Sequence, residues 1–267
     1  MKEFSFKNLG LAGRLGNQLW QIGWTLGEAA RLGGAGVVVP DWEYRPFFSI
    51  PEDLFAKADE FSIDGGFEYY QELHYWDGIK DDIWSMFQAS ELAALETSRY
   101  VGDRADLMRE HGCSVHHRLG DYVNHPNHFP IPTPKYYRDS MKKVLEEDPD
   151  TIFYVFSDSI KQVIFNYNSD EFTSNLLEDK KIVFFKGVPR PVEVVDRKGE
   201  PSDWLDLFSM SMCKNHIIAN STFSWWGAFL SESRHAYYPS TWFGKDPAVK
   251  NIPWRRMIPS DWTEVQC

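Results

Sequence analysis

Two hydrophobic periods alternate along the chain, and they read as strands followed by helices. Residues 3–9 read as a short strand. Gly10-Leu11-Ala12-Gly13-Arg14-Leu15-Gly16-Asn17-Gln18 follows. Leu19, Ile22, Leu26 and Ala29 then recur at helical spacing, predicting a helix over residues 17–32 that Gly33-Gly34 closes. Val37-Val38-Val39 is the next strand, so the chain opens as a βαβ unit. Residues 40–80 mix Trp, Tyr, Phe, Asp and Gly without a period; they read as loops and short elements, either an acceptor surface or irregular packing. Helical patterning returns over 81–98 with Asp81 as its N-cap. The polar stretch 99–112 places a domain boundary near Gly112.

The second half repeats the alternation. An apolar run reaches His116-His117-Arg118-Leu119-Gly120-Asp121-Tyr122 and stops there. Four prolines (126, 130, 132 and 134) break regular structure, and Thr133-Pro134 starts a helix with Tyr137, Met141, Val144 and Leu145 on one stripe. Residues 151–156 predict a buried strand ending in Ser157-Asp158-Ser159, followed by a helix over 159–166. Residues 180–186 predict another strand, and Pro189 to Pro201 a charged loop. Ser202 then caps a helix that turns Leu205, Phe208 and Met212 inward, with Asp203 and Asp206 in its first turn. A strand over 216–219 runs directly into Asn220-Ser221-Thr222-Phe223-Ser224 and a helix from Trp225 to Ser231. Residues 235–239 form the last strand, and a Trp- and Pro-rich tail is expected to pack back on the first half. The fold class is α/β, with two Rossmann-like lobes facing a cleft: residues 1–112 and residues 113–267.

Composition narrows the partners. At 43% apolar and 25% charged, this is a globular chain. A formal net charge of −11 argues against a nucleic-acid backbone binder, and leaves room for a small anion held by a local arginine. Cys113, Cys213 and Cys267 make no CxxC, and the histidines no HExxH, so neither a disulfide framework nor a metal site is expected. No apolar run approaches membrane-spanning length and no basic leader opens the chain. The expectation is a cytoplasmic location without a transmembrane span; peripheral membrane association stays open.

The chemistry gathers at three strand tips. Arg118 is a permanent cation whose planar fork suits a phosphate, while Asp121, three residues on, either orients it or accepts a proton. The same two residues also read as an ion pair closing a strand end. His116 adds a group that titrates near neutrality. Asp158 is either a site residue or a helix cap. Asn220, Ser221, Thr222, Phe223 and Ser224 stand where free backbone N–H groups converge, an anion site or an ordinary cap. Gly13, Arg14, Gly16, Asn17 and Gln18 form either a backbone cradle or a tight turn; they match neither GxGxxG nor a Walker A loop. The layout predicts a nucleotide diphosphate in the second lobe.

Four motifs in order carry a resemblance. Gly13-Arg14-Leu15-Gly16-Asn17-Gln18, His116-His117-Arg118-Leu119-Gly120-Asp121-Tyr122, Phe156-Ser157-Asp158 and the block from Asp206 to Ala228 resemble glycosyltransferase family 11, the α-1,2-fucosyltransferases. The resemblance implies a GT-B-like fold, GDP-L-fucose as donor substrate, no metal or other cofactor, and inversion at the anomeric carbon. It implies transfer to a glycan hydroxyl, the 2-OH of a galactose-type sugar, as part of glycan biosynthesis. By position Arg118 would hold the β-phosphate, His116 the nucleotide and Asp206 the guanine. Ser221, Thr222 and Ser224 would bind pyrophosphate, Phe223 would pack by the nucleotide, and the first lobe would take the acceptor. Leu119 departs from the pattern, since many members carry a second Arg there. Rival readings are another GDP-sugar transferase or hydrolase, or a glycan-binding protein without catalysis.

Overall fold

A computed structural model describes residues 3–6, 8–11, 13–33, 36–55, 63–64, 69–179, 181–185, 203–233 and 235–267. The loop expected at 189–201, the Ser202 cap and position 12 lie outside the described residues. In chain order the elements are β1 (Glu3–Ser5), α1 (Leu15–Arg31), β2 (Gly36–Val38), β3 (Ile63–Asp64), α2 (Lys80–Met86), α3 (Glu91–Val101), α4 (Ala105–His111), β4 (Gly112–His117) and α5 (Pro134–Glu147). They continue as β5 (Ile152–Ser157), α6 (Ile160–Asn168), α7 (Glu171–Glu178), β6 (Ile182–Phe184), α8 (Asp203–Ser211), β7 (Asn215–Ile217), α9 (Thr222–Phe229), β8 (Tyr237–Pro239) and β9 (Thr263–Val265).

The chain divides into two compact units: Met1–Glu96 with Lys198–Trp204 and Trp254–Pro259, and Thr97–Arg197 with Leu205–Pro253 and Ser260–Cys267. Each is built on a parallel sheet, as the α/β reading expects. The second unit begins at Thr97 rather than at Cys113. Val101 and Met108 are buried in one cluster with Tyr154, Phe156, Phe185, Met210 and Cys213, so the segment read as a polar boundary is helical and belongs to the second core. The tail is divided. Arg256 pairs with Glu72 in the first unit (3.1 Å), whereas β9 closes the edge of the second sheet.

The first unit has the sheet order β2-β1-β3. Helix α1 begins at Leu15, two residues earlier than its apolar stripe suggests, and is buried on nearly every face. It packs closely on the turn at Leu73–Trp76: Trp20 stacks on Trp76 at 4.4 Å. The single helix expected over 81–98 is two helices. Ala89 pairs with Phe48, Ser90 N donates to Phe47 O (3.1 Å), and the Ser90 hydroxyl accepts from Ala93 N (3.2 Å). A local N-cap and a strand-like pairing thus outcompete helical continuity.

The second unit has the order β6-β5-β4-β7-β8-β9. Counted from β4, that is the doubly wound order 3-2-1-4-5-6. β4 is buried throughout, and β5 alternates: Phe153 and Val155 face the core under α5, α6 and α7, while Tyr154 and Phe156 face the cluster with α3, α4 and α8. Helix α5 starts as predicted, with Thr133 accepting from Tyr136 N and Pro134 at the first position. Helix α7, which the pattern did not announce, is capped by Asp170. Helix α9 starts three residues before Trp225. Among the described residues no helix is long and apolar enough to cross a membrane.

Candidate functional site

β4 lies between β5 and β7, and the order of connections reverses between β4 and β7. In open parallel sheets the crevice outside the strand carboxyl ends at that reversal is where ligands bind. The tips of β4 and β7 meet there. The tip of β5 is adjacent, since His117 pairs with Ser157.

Arg118 leaves the end of β4 with its side chain only 12% exposed. One terminal nitrogen donates to Asp158 Oδ2 (2.5 Å), and the other donates to Asp121 Oδ1. The guanidinium rests over the Tyr122 ring, 5.1 Å from its centroid. Asp158 is not the cap of α6, where Ser159 stands instead. Its second oxygen accepts from the backbone N–H of Leu119 (2.9 Å) and of Gly120 (3.1 Å). A carboxylate therefore fills the anion nest that the β4 tip would otherwise offer, and fixes Arg118 at the same time. Leu119 is buried within the main core cluster, so its departure from the double-Arg pattern serves packing. Asp121 is 54% exposed and is the looser of the two carboxylates.

At the β7 tip, Asn220 is buried and uses its amide nitrogen on Pro130 O and Trp242 O, 2.9 Å each. It is an anchor for two loops. Tyr122 Oη donates to the Asn220 carbonyl (3.2 Å), tying the β4 tip to the β7 tip. The first backbone bond of α9 runs from Trp225 N to Ser221 O (3.0 Å), and the helix opens at Thr222 beside the β7 tip. Thr222 and Phe223 are half-buried; Ser221 and Ser224 are buried, and Ser224 Oγ donates to Ser221 O (3.3 Å).

His116 sits on the opposite face of β4 from the Val115 core and packs against the Phe223 ring at 5.7 Å. Burial lowers its pKa to about 4, with Asp158 raising it and Arg118 lowering it, so the imidazole is neutral. Its Nδ1 is buried without a hydrogen-bond partner. His117 points into the core, stacks on Tyr137 (3.8 Å) and bonds Tyr167 Oη (2.8 Å). Asp206 on α8 accepts from Tyr100 Oη (3.3 Å); Tyr100 and Phe223 pack against the same apolar cluster. The strand-tip reading thus finds Arg118, Asp121 and Asp158 in one cluster and links it to Asn220. It missed Tyr122 and Gly120, whose roles depend on contacts across the sheet.

The loop at Gly13–Gln18 lies in the first unit, where it is largely a helix start. Asn17 N and Gln18 N donate to Arg14 O (2.9 and 3.1 Å), so these two amides are used inside the turn. Gln18 is buried, donating to Gly13 O (3.2 Å) and accepting from Trp42 Nε1 (2.8 Å). Gly16 is buried. Asn17 accepts from Gln71 (3.0 Å), and Gly13 and Arg14 are exposed.

Fold and site together define an α/β protein with a doubly wound unit and an arginine at its switch point. The chain belongs to glycosyl transferase family 11, whose profile matches residues 35–246. It is 30% identical over 184 residues to the O-antigen biosynthesis glycosyltransferase WbnK of Escherichia coli, covering 66% of this chain and 54% of that protein. It is 32% identical over 168 residues to an alpha-1,2-colitosyltransferase of Escherichia coli, covering 61% of this chain and 50% of the relative. The chain thus spans about half the length of these curated relatives. Solved structures of POFUT1 are similar at 11% identity with GDP bound (TM-score 0.43, 80% of this chain and 67% of that chain). The GDP-fucose complex is similar at 10% identity (TM-score 0.44, 89% and 73%).

Proposed function

We propose that the protein is an inverting fucosyltransferase that moves L-fucose from GDP-β-L-fucose to the 2-OH of a galactose-type sugar in a glycan, forming an α-1,2 linkage. The observation that carries this reading is Arg118, held by two carboxylates at the switch point and joined through Tyr122 to the start of α9. Family membership and the names of the two curated relatives support the class of reaction. In this reading the bond between the anomeric carbon and the β-phosphate oxygen breaks as the acceptor oxygen attacks from the opposite face. Negative charge grows on GDP, and Arg118 with the first-turn N–H groups of α9 stabilises it. Ser221, Thr222 and Ser224 lie beside the pyrophosphate, His116 and Phe223 beside the nucleoside, and Asp206 reads the guanine edge. The acceptor hydroxyl gives up its proton to solvent on its own face of the sugar, and the negative charge of the broken bond stays on the leaving phosphate. Asp121 is the brace of Arg118, a role its ion pair supports. Acceptor recognition is assigned to the first unit, with Arg14 and Asn17 as its exposed and half-buried polar groups.

GDP release measured over a panel of glycan acceptors tests the proposal. Arg118→Ala is expected to lower kcat by on the order of 10²–10³ while the protein still unfolds cooperatively. Near-normal turnover by this variant overturns the reading. Faster turnover with a GDP-linked colitose than with GDP-fucose reassigns the donor sugar. Release of free sugar in the presence of acceptor makes the protein a hydrolase.

A further inference from the structure

We propose that Tyr122 is a positioning residue that keeps two anion-binding halves in register: the Arg118 guanidinium on the β4 tip and the N-terminal turn of α9. The inference rests on the phosphate-binding reading above. Arg118 lies over one face of the Tyr122 ring. Phe129 stacks on that ring at 4.5 Å and 16°, and Phe243 supports Phe129 at 6.1 Å. The hydroxyl donates to the carbonyl of Asn220, two residues before α9 begins. Both ends of this strut are anchored. Asn220 holds Pro130 and Trp242, and Gly244 N donates to His128 O (2.9 Å), so the loop after β4 and the loop after β8 are tied to the same point. Burial raises the Tyr122 pKa to about 12, so the hydroxyl remains a donor across the neutral range.

The chemistry gives such a strut a purpose. A diphosphate presents two anionic groups at fixed separation, and it gains from both halves only if their spacing is preset. A single phosphate engages one half and is indifferent to the register. Arg118 is already oriented in its plane by Asp121 and Asp158. The Tyr122 ring fixes it out of plane, and the hydroxyl connects that arrangement to the strand tip that leads into α9.

The test compares binding of inorganic pyrophosphate and inorganic phosphate to the intact chain by calorimetry. Tyr122→Phe keeps the ring and removes the link to Asn220. It is expected to weaken pyrophosphate about five- to tenfold, the loss of one hydrogen bond, and to leave phosphate unchanged. Tyr122→Leu removes the ring as well and is expected to lose more. A pyrophosphate-to-phosphate ratio that Tyr122→Phe leaves at the wild-type value overturns the proposal. So does a parallel fall for both probes, the result of a merely structural hydroxyl. Wild-type turnover of GDP-fucose is measured alongside. Absent turnover with a shifted ratio refutes the fucosyltransferase reading and sustains the strut; turnover with an unmoved ratio does the reverse. A wild-type chain that binds neither probe overturns the strut, and turnover of GDP-fucose then decides the fucosyltransferase reading by itself.

Discussion

Asp158 illustrates how one side chain can decide the geometry of a site. Its carboxylate accepts two backbone N–H bonds and pairs with Arg118, so it is an internal anion at the β4 tip. Gly120 makes this arrangement fit, because a Cβ there would lie 2.4 Å from Asp158 Oδ2. The carboxylate is held by three partners and has no cheap way to retreat. Gly120→Ala is therefore expected to displace Asp158, leave Arg118 on Asp121 alone of its two carboxylates and lower stability by about 1–3 kcal/mol, with a larger proportional loss of the proposed transfer activity. Chemical denaturation and kcat measured together check this; wild-type values for both refute it. The motif around Arg118 was visible in the sequence. That Asp158 fills the nest was not, because the partners are separated by 38 to 40 residues and meet only when β4 pairs with β5.

Helix α1 shows how an element can be recognised from its period while its environment is not. Leu19, Ile22, Leu26 and Ala29 announce a half-buried stripe, yet Trp20, Trp24, Thr25 and Gly27 are buried as well. The cause is the Leu73–Trp76 turn, which closes over the face that periodicity would leave to solvent. At Gly27 a Cβ would come within 1.9 Å of the Tyr75 carbonyl oxygen. In an exposed helix Gly→Ala gains about 1 kcal/mol. Here Gly27→Ala is expected to reverse that sign and cost about 1–3 kcal/mol, because backbone must move. A higher midpoint of thermal unfolding in this variant would contradict the packing described. The break between α2 and α3 has the same origin, since Phe48 captures Ala89 from a distant part of the chain.

For the molecule as a whole, three buried histidines of the second unit set an acid limit. Burial lowers His116 to about 4, His117 to about 3 and His216 to about 3. In the unfolded chain each titrates near 6.5. Above that pH neither state binds the proton and stability is full. Between about 6.5 and the folded values only the unfolded chain is protonated, so stability is lost as the pH is lowered, at about 1.4 kcal/mol per unit for each histidine. The thermal midpoint is expected to drop from pH 7 to pH 5, and His216→Gln to flatten the drop. An unchanged midpoint over that range refutes it.

The sequence by itself determined the alternation of strands and helices, the three polar strand tips and the family motifs, because those depend on local period and residue chemistry. It located Arg118, Asp121 and Asp158 as candidates and left Asp121 and Asp158 with two roles each. Tertiary structure decided that Asp158 is a brace rather than a cap. It also decided that Gln18 and the amide nitrogen of Asn220 spend their bonds inside the protein, and that residues 97–112 join the second core. It alone produced the link from Arg118 through Tyr122 to Asn220. The physical reason is the order β6-β5-β4-β7-β8-β9, which makes neighbours of tips about a hundred residues apart. Strand order follows from the packing of helices over both faces of the sheet, and no local pattern records it.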